Sequence, residues 1–248
     1  MSMWRLSECL PPVAILAGGL GTRMRPTTEW VPKVLLPVAG EPFLGHQLHL
    51  LAQRGVSDVV LCCGYLAEQI ARYAGDGSDF GLHLHYSRDG ASPLGTGGAL
   101  RHALPMLGEE FFVLYGDSYL EVDLAEVYCA FVQSGLPALM TTLLNRSRWG
   151  ANNVRMRGGL VTQYGCDSSP GMEYIDYGLS LFRAEVFASW PDDAAFPLTE
   201  VQSMLAAGKR MAAFEVSQRF YEIGSPSGLA ETEAYLRSQP RRLRETTP

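Results

Sequence analysis

The sequence predicts an α/β fold with a mainly parallel central sheet and helices on both faces. Short apolar runs of strand length alternate with helical patterns through the first 144 residues. Because strand–helix–strand units are right-handed, this alternation builds a parallel sheet that is covered on two sides. A chain of 248 residues that is 47% hydrophobic and 19% charged can also bury a sizeable core.

The alternation predicts where the elements of the first half lie. Strands are expected at residues 13–17, 58–63, 82–86, 111–115 and 138–144, and helices at 42–54, 66–74 and 123–134, with a further helix ending near residue 107. The carboxyl ends of parallel strands collect at one edge of a sheet. The loops after Ala17, Leu94 and Tyr115 should therefore converge there.

From residue 145 the pattern changes to a smaller region that is richer in strands. It predicts a hairpin over 153–164 that turns at Gly158-Gly159, strands at 174–182, 214–216 and 220–223, and helices at 184–190, 199–207 and 227–239. We expect one domain with two halves, residues 1–144 and 145–239. Residues 240–248 are expected to form a solvated tail.

The loop after the first strand has the composition of a phosphate-binding turn. It contains, in order, Gly18, Gly19, Gly21, Thr22, Arg23 and Lys33. Glycines let backbone N–H groups approach a ligand closely, and the cations add to the attraction for an anion. Two familiar glycine loops are excluded, because Met24 stands where the dinucleotide fingerprint needs Gly or Ala and no Gly-Lys-Ser/Thr follows.

The whole stretch resembles a family signature. It reads Gly-Gly-x-Gly-Thr-Arg, then Pro32-Lys33, then Leu35-Leu36-Pro37-Val38-x-Gly40. This resembles the sugar-1-phosphate nucleotidylyltransferases, which join a nucleoside triphosphate to a sugar 1-phosphate and release pyrophosphate. The resemblance implies the Rossmann-like nucleotide-diphospho-sugar transferase fold with a small sugar-binding β subregion. It also implies that residues 1–144 bind the nucleotide and residues 145–239 the sugar phosphate.

The resemblance implies roles for particular residues. Arg23, Lys33 and Asp117 are expected to be catalytic, and Asp117 should also bind Mg²⁺. Glu222 is expected as the second metal ligand, although relatives carry aspartate at that place. The nucleotide is expected to contact Leu16, Ala17, Gly18, Gly19, Gly21 and Thr22 in the first loop, and Gly95, Thr96 and Gly97 in a second glycine turn that resembles the family's base-contacting loop.

The sugar-phosphate contacts are the point where this chain departs from the family. Relatives commonly carry Glu-Lys-Pro before the strand at 174–182, whereas this chain reads Tyr-Gly-Cys-Asp at 164–167. The missing lysine leaves Arg23, Lys33 or Arg183 as candidates to meet the sugar phosphate. The expected contacts to the sugar phosphate are Asn153, Glu173, Asp176 and Gly178.

Among family members the chain looks most like bacterial heptose or mannose 1-phosphate guanylyltransferases, so GTP is the favoured donor. An N-acetylmuramate or hexose 1-phosphate uridylyltransferase is an alternative, as is a non-catalytic regulatory paralogue that binds nucleotide sugar. A glycosyltransferase of related fold is disfavoured, because Asp117-Ser118-Tyr119 lacks the second acid of Asp-x-Asp.

Composition narrows the remaining possibilities. The net charge of −6 argues against general nucleic-acid binding, and no apolar run is long enough to span a bilayer. The five cysteines have no metal-ligand spacing, which favours a reducing, cytoplasmic setting. Without a recognisable assembly region, a monomer or homodimer is expected.

Overall fold

The computed structural model describes residues 10–90, 92–165 and 171–239. The predicted tail at 240–248 and two of the cysteines, Cys9 and Cys166, lie outside the described residues. The first half contains β1 (Val13–Leu16), β2 (Pro37–Val38), β3 (Glu41–Pro42), α1 (Phe43–Gln53), β4 (Asp58–Cys63), α2 (Ala67–Ala74), β5 (His83–Arg88), α3 (Gly95–Leu107), β6 (Glu110–Tyr115), β7 (Ser118–Tyr119), α4 (Leu124–Ser134) and β8 (Ala138–Leu144).

The second half contains β9 (Val154–Arg157), β10 (Leu160–Tyr164), β11 (Tyr174–Arg183), α5 (Leu198–Ala207), β12 (Met211–Val216), β13 (Tyr221–Glu222) and α6 (Pro226–Ser238). Single 3-10 turns lie at Thr22–Met24, Thr27–Glu29, Lys33–Leu35, Ser78–Phe80 and Ala184–Phe187. Within the described ranges, no helix is both long and apolar enough to cross a membrane.

One nine-stranded sheet runs through the domain in the order β5-β4-β1-β6-β11-β8-β12-β10-β9. Its pairings show that β10 and β11 run against the other strands, which share one direction. The predicted α/β class with a mainly parallel sheet is confirmed. The hairpin β9–β10 extends this sheet at its edge instead of forming a sheet of its own.

Both faces of the sheet are buried, and the alternation of side chains along β1 shows why. Val13 and Ile15 face a core that α1, α2 and α4 cover, whereas Ala14 faces a second core under α3 and α5. A strand that is apolar on both sides needs a continuous apolar run and not a polar–apolar alternation. The run at 13–17 therefore predicted a central strand correctly.

A third, smaller core attaches α6 and the hairpin β2–β3 to the carboxyl edge of the sheet. Its centre includes Leu36, Val38, Phe43, Tyr119 and Ile223, all of which are buried. The short strand β13 pairs with β7, and this pairing places residue 222 opposite residue 118. This pairing and the third core together hold α6 beside the loop that follows β6.

One predicted helix is wrong. Residues 184–190 form only the single turn Ala184–Phe187. Pro191 disfavours the helical conformation at Trp190, and the Trp190 ring stacks on that of Phe196 with 4.0 Å between their centroids. The short strands β2, β3 and β7 were not predicted, since two residues carry no periodic signal.

Asp123, the first residue of the helix predicted at 123–134, is the N-cap of α4, and this role can be tested. The Asp123 carboxylate accepts the N–H groups of Ala125 at 2.9 Å and Glu126 at 3.2 Å. Replacing Asp123 by Ala should lower the free energy of unfolding by about 1 kcal/mol, because two N–H groups lose their acceptor. Urea denaturation measures this loss. Asp193→Ala, which removes an exposed acid, is the control, and an equal loss there would contradict the capping role.

Candidate active site

A cavity of about 310 Å³ opens at the carboxyl edge of β1, β4 and β6. The loop after β1, the start of α3 and the loop after β6 line it together, as the sequence predicted for parallel strands. Of the residues expected to contact a nucleotide, the lining includes Leu16, Ala17, Gly18, Gly19, Gly95 and Thr96.

Gly21 determines the path of the first loop and lies outside the wall of the cavity. Its φ of 59° is left-handed, and a Cβ there would lie 2.9 Å from the Thr28 side chain. The buried Thr28 hydroxyl also donates to the Gly21 carbonyl at 2.8 Å. The 3-10 turn at Thr22–Met24 then turns Arg23 back toward the sheet edge. Gly21 is thus needed for the path of the loop.

The second glycine turn packs against protein and not only against the cavity. Gly97 donates its N–H to the Phe196 carbonyl at 2.9 Å, and a Cβ there would overlap the Phe196 ring. The Thr96 hydroxyl accepts the N–H of Leu198 at 2.8 Å. Gly95 and Thr96 remain exposed at the mouth, whereas Gly97 is buried. The described structure thus accounts for Gly97 by its packing against Phe196, and its contact with a nucleotide stays a prediction.

Four charged side chains that lie far apart in the sequence meet beside this cavity. Lys33 Nζ lies 2.6 Å from Asp117 Oδ2. A Cβ built on Gly224 would lie 3.1 Å from Arg23 Nη2, 3.0 Å from Asp117 Oδ2 and 2.9 Å from Glu222 Oε2. Arg23, Asp117 and Glu222 therefore surround one point, and Lys33 pairs with Asp117 beside it. Glycine at 224 is what leaves room for them.

Glu222 also has partners at the start of α6. Its carboxylate accepts the N–H of Gly224 and, at 2.6 Å, the hydroxyl of Ser225. Ser225 is the N-cap of α6 and accepts the N–H of Gly228 at 3.0 Å. Both carboxylate oxygens of Glu222 are therefore held by groups at the start of α6.

The donor set fits a magnesium ion. Mg²⁺ prefers one or two carboxylates and completes its six oxygen ligands with phosphate and water. Asp117 and Glu222 place two carboxylate oxygens within 3.0 Å of the same point. In the described part of the chain, no cluster of three or more His, Cys, Asp or Glu is suited to hold a metal. Asp117 and Glu222 therefore do not belong to a site in which protein side chains supply every ligand.

Three of the four residues predicted to contact the sugar phosphate lie together. The Asp176 N–H donates to Asn153 Oδ1 at 2.9 Å, and the Gly178 N–H donates to Asp176 Oδ1 at 2.9 Å. Tyr164 donates its hydroxyl to Asp176 Oδ2 at 3.1 Å. Glu173 is separate, because its side chain is exposed and its carbonyl accepts the N–H groups at 145 and 146.

The proposed role of Arg183 as the phosphate cation is wrong. Arg183 pairs in register with Glu110 at the start of β6 and forms an ion pair with it at 3.2 Å. Asp117 follows the other end of that strand, roughly 20 Å away at the rise of a β-strand. Arg23 and Lys33 remain as the predicted cations that the fold brings to the cavity.

Sequence reasoning missed several residues of this site. Tyr115 and Asp89 line the cavity, and the fully buried Gln202 lies beside Tyr115 and Asp176. Tyr115 could have been found, since it directly precedes Gly116-Asp117 at the end of a strand. Gln202 lies on a helix of the second half, and no local pattern links it to the site.

The fold is that of an α/β protein with a cavity at one edge of its sheet and two cations and two acids beside it. The chain belongs to the nucleotidyl transferase family, whose model matches residues 13–150. The family membership expected from the glycine signature is therefore confirmed.

Known proteins similar to this chain belong to the same class. An N-acetylmuramate alpha-1-phosphate uridylyltransferase of Neisseria meningitidis serogroup B is 42% identical over 115 residues, which are 46% of this chain and 50% of the relative. A D-glycero-alpha-D-manno-heptose 1-phosphate guanylyltransferase of Campylobacter jejuni is 28% identical over 86% of this chain and 94% of its own. The solved structure of HddC from Yersinia pseudotuberculosis complexed with GMP-PN shares the fold, with a TM-score of 0.74 and 24% identity over 92% of this chain and 100% of its own.

The environment of Asp176 predicts a pH dependence of stability. Burial raises the pKa of Asp176 to about 6, against the bonds from Gly178 and Tyr164 that lower it. The folded protein therefore binds the proton of the Asp176 carboxyl group more tightly than the unfolded chain does. Protonated Asp176 stabilises the fold at low pH, and this stabilisation is lost as the pH rises from about 4 to about 6. All other titrating groups are the same in wild type and in Asp176→Asn, so their effects cancel when the melting temperature of the variant is subtracted from that of wild type.

We therefore expect the melting temperature of wild type minus that of Asp176→Asn to decrease between pH 4 and pH 7. Thermal melts at half-unit intervals measure it. A difference that does not change with pH would show that Asp176 titrates like an exposed acid.

Proposed function

We propose that the protein joins a nucleoside triphosphate to a sugar 1-phosphate and releases pyrophosphate, with GTP as the preferred donor and a heptose- or mannose-type sugar. The observation that carries this proposal is the meeting of Arg23, Lys33, Asp117 and Glu222 beside one cavity. Two cations and two acids in preorganised positions suit a reaction in which charge moves between phosphate groups.

The reaction needs positioning more than acid–base chemistry. An oxygen of the sugar phosphate attacks the α-phosphorus, and a new P–O bond forms. The bond from that phosphorus to the bridging oxygen breaks, and pyrophosphate leaves with the electron pair. The attacking oxygen is already ionised at neutral pH, so no general base is required. Arg23, Lys33 and the amides of Gly18 and Gly19 would hold the phosphates in line and offset their charge.

Asp117 is the acid we propose to bind Mg²⁺, with Glu222 as the second. When bound, the ion neutralises phosphate charge and stabilises the leaving pyrophosphate. Glu222 brings a carboxylate whose orientation the α6 terminus already fixes through Gly224 and Ser225. This support favours a ligand role despite the departure from the aspartate of relatives.

Asp89 supports guanine as the base. It is partly buried in the wall of the cavity that Gly95 and Thr96 also line, and its Oδ2 accepts the N–H of Leu94 at 3.2 Å, which fixes the carboxylate beside the second glycine turn. A carboxylate can accept two adjacent hydrogen bonds, and the guanine edge offers adjacent N1–H and N2–H donors. Uracil offers one N–H between two carbonyls, which a carboxylate would repel. The GMP-PN complex of HddC and the name of the Campylobacter relative agree with this choice.

The alternative with a specific observation behind it is an N-acetylmuramate 1-phosphate uridylyltransferase. The Neisseria relative carries that name and is 42% identical to this chain, although over only 115 residues. The Campylobacter relative matches 86% of this chain, including most of the sugar-binding half. We therefore favour the heptose or mannose type.

The central test is pyrophosphate release over a panel of triphosphates and sugar 1-phosphates with and without Mg²⁺. Asp117→Asn should reduce turnover by about 10²-fold or more, because the amide keeps the shape but loses the charge that an ion needs. Asp123→Asn, which changes a remote acid in the same way, is the control and should keep wild-type turnover. Full wild-type activity in excess chelator would contradict the metal role, and no turnover with any pair would favour a regulatory paralogue.

The base assignment has its own test. Asp89→Asn replaces one acceptor by a donor and should lower kcat/KM for GTP by about 10- to 100-fold, the cost of losing a charge-assisted hydrogen bond. The value for UTP should change less, since uracil does not use two acceptors. Steady-state kinetics with both nucleotides measure the ratio. An unchanged GTP-to-UTP ratio would remove Asp89 from base recognition.

A further inference from the structure

A buried amide on α1 supports the loop that carries Asp117. Gln47 is 1% exposed and donates from Nε2 to the Ser118 carbonyl at 2.8 Å and to the Tyr115 carbonyl at 3.2 Å. These two carbonyls flank Gly116-Asp117. Both acceptors require N–H donors, so the orientation of the amide is determined by its partners.

Packing alone does not hold this loop in place. A cavity of about 20 Å³ lies beside it and is bounded by Gln47, Leu50 and Ser118. Gly116 has no side chain to anchor it, because a Cβ there would lie 2.5 Å from the Leu16 carbonyl. The loop is therefore held mainly by hydrogen bonds.

Gln47 shares this role with backbone hydrogen bonds and with the β7–β13 pairing at Ser118. The Gly116 N–H donates to the Leu16 carbonyl at 3.1 Å, and the Ile223 N–H donates to the Asp117 carbonyl at 3.0 Å. Gln47 differs from these backbone donors because it is a side chain, and its amide donates to the carbonyls at both ends of the loop, those of Tyr115 and Ser118. A side chain at 47 without an N–H donor would leave the Tyr115 carbonyl and the buried Ser118 carbonyl short of a partner.

We propose that Gln47 is a positioning residue that sets the place of the Asp117 carboxylate opposite Lys33. It touches no reacting group and acts through the backbone of residues 115–118. The inference rests on the proposed function for its kinetic consequence, but the clamp itself exists in the protein without substrate. A shift of about 1 Å in a group that must meet phosphate or metal can cost on the order of 10²-fold in rate.

The test compares three variants. Gln47→Met keeps the length and apolar contacts but removes both donors. Gln47→Asn keeps the amide one methylene shorter, so that it can reach at most one carbonyl. Leu50 lies one turn further along α1, beside the same cavity. Leu50→Ala removes only packing contacts, and it should lower the free energy of unfolding by an amount typical of a buried leucine.

The first measurement is hydrogen–deuterium exchange of the protein without substrate. Gln47→Met should increase exchange at residues 116–118, whereas Leu50→Ala should leave these amides protected relative to the rest of α1. Unchanged protection in Gln47→Met would overturn the clamp. This readout does not depend on turnover, so it separates failure of the clamp from failure of the proposed function.

The second measurement is the dependence of turnover on Mg²⁺ and on each substrate. We expect Gln47→Met to lower kcat by about 10²-fold and Gln47→Asn by about 10-fold, with a weaker apparent Mg²⁺ affinity and KM values for the substrates within about threefold of wild type. Leu50→Ala should keep kcat near wild type. If Gln47→Met does not fold, Gln47→Asn decides. Wild-type kcat in that variant despite faster exchange, or an equal loss in Leu50→Ala, would overturn the proposal.

Discussion

The burial of both sheet faces is the constraint on which the rest of this structure depends. Helices cover β1, β4 and β6 on two sides, so the buried residues of these strands are apolar, and the acids of β4 and β6 stand at the first position of each strand. Polar groups can then collect only where strands end, because a charged side chain within either core would lose its hydration. The parallel direction of these strands brings several such ends to one edge, and the cavity forms there.

Charge compensation within a small space is the second feature of the site. Lys33 and Asp117 form an ion pair at 2.6 Å, and Arg23 and Glu222 approach the same point. Each of these residues comes from a different segment, and backbone contacts hold the segments in place. The ladder between β7 and β13 joins two of them, and the 3-10 turn at Lys33–Leu35 presents the third. Such preorganisation is what electrostatic catalysis requires, since the charges do not reorganise during the reaction.

Prediction from sequence succeeded where the signal was local and failed where it was not. The strands at 58–63 and 138–144 were predicted with their observed bounds, because long apolar runs bounded by turns have few alternatives. The site residues at the end of β1 and in the loop after it were found through glycines and cations in one short signature. The helix at 184–190 was wrong: the segment is too short to fix its own conformation, and in the fold its last residue packs on the distant Phe196.

The sequence by itself determined the α/β class, the strand edge where chemistry occurs and the family signature. These depend on hydrophobic period, glycine placement and motif spacing, all of which are properties of neighbouring residues. Only the tertiary structure decided that Arg183 lies at the far end of β6, that Gly97 faces Phe196 and that Gln47 supports the Asp117 loop. Those facts depend on which distant segments come into contact, and the packing of the whole sheet determines that.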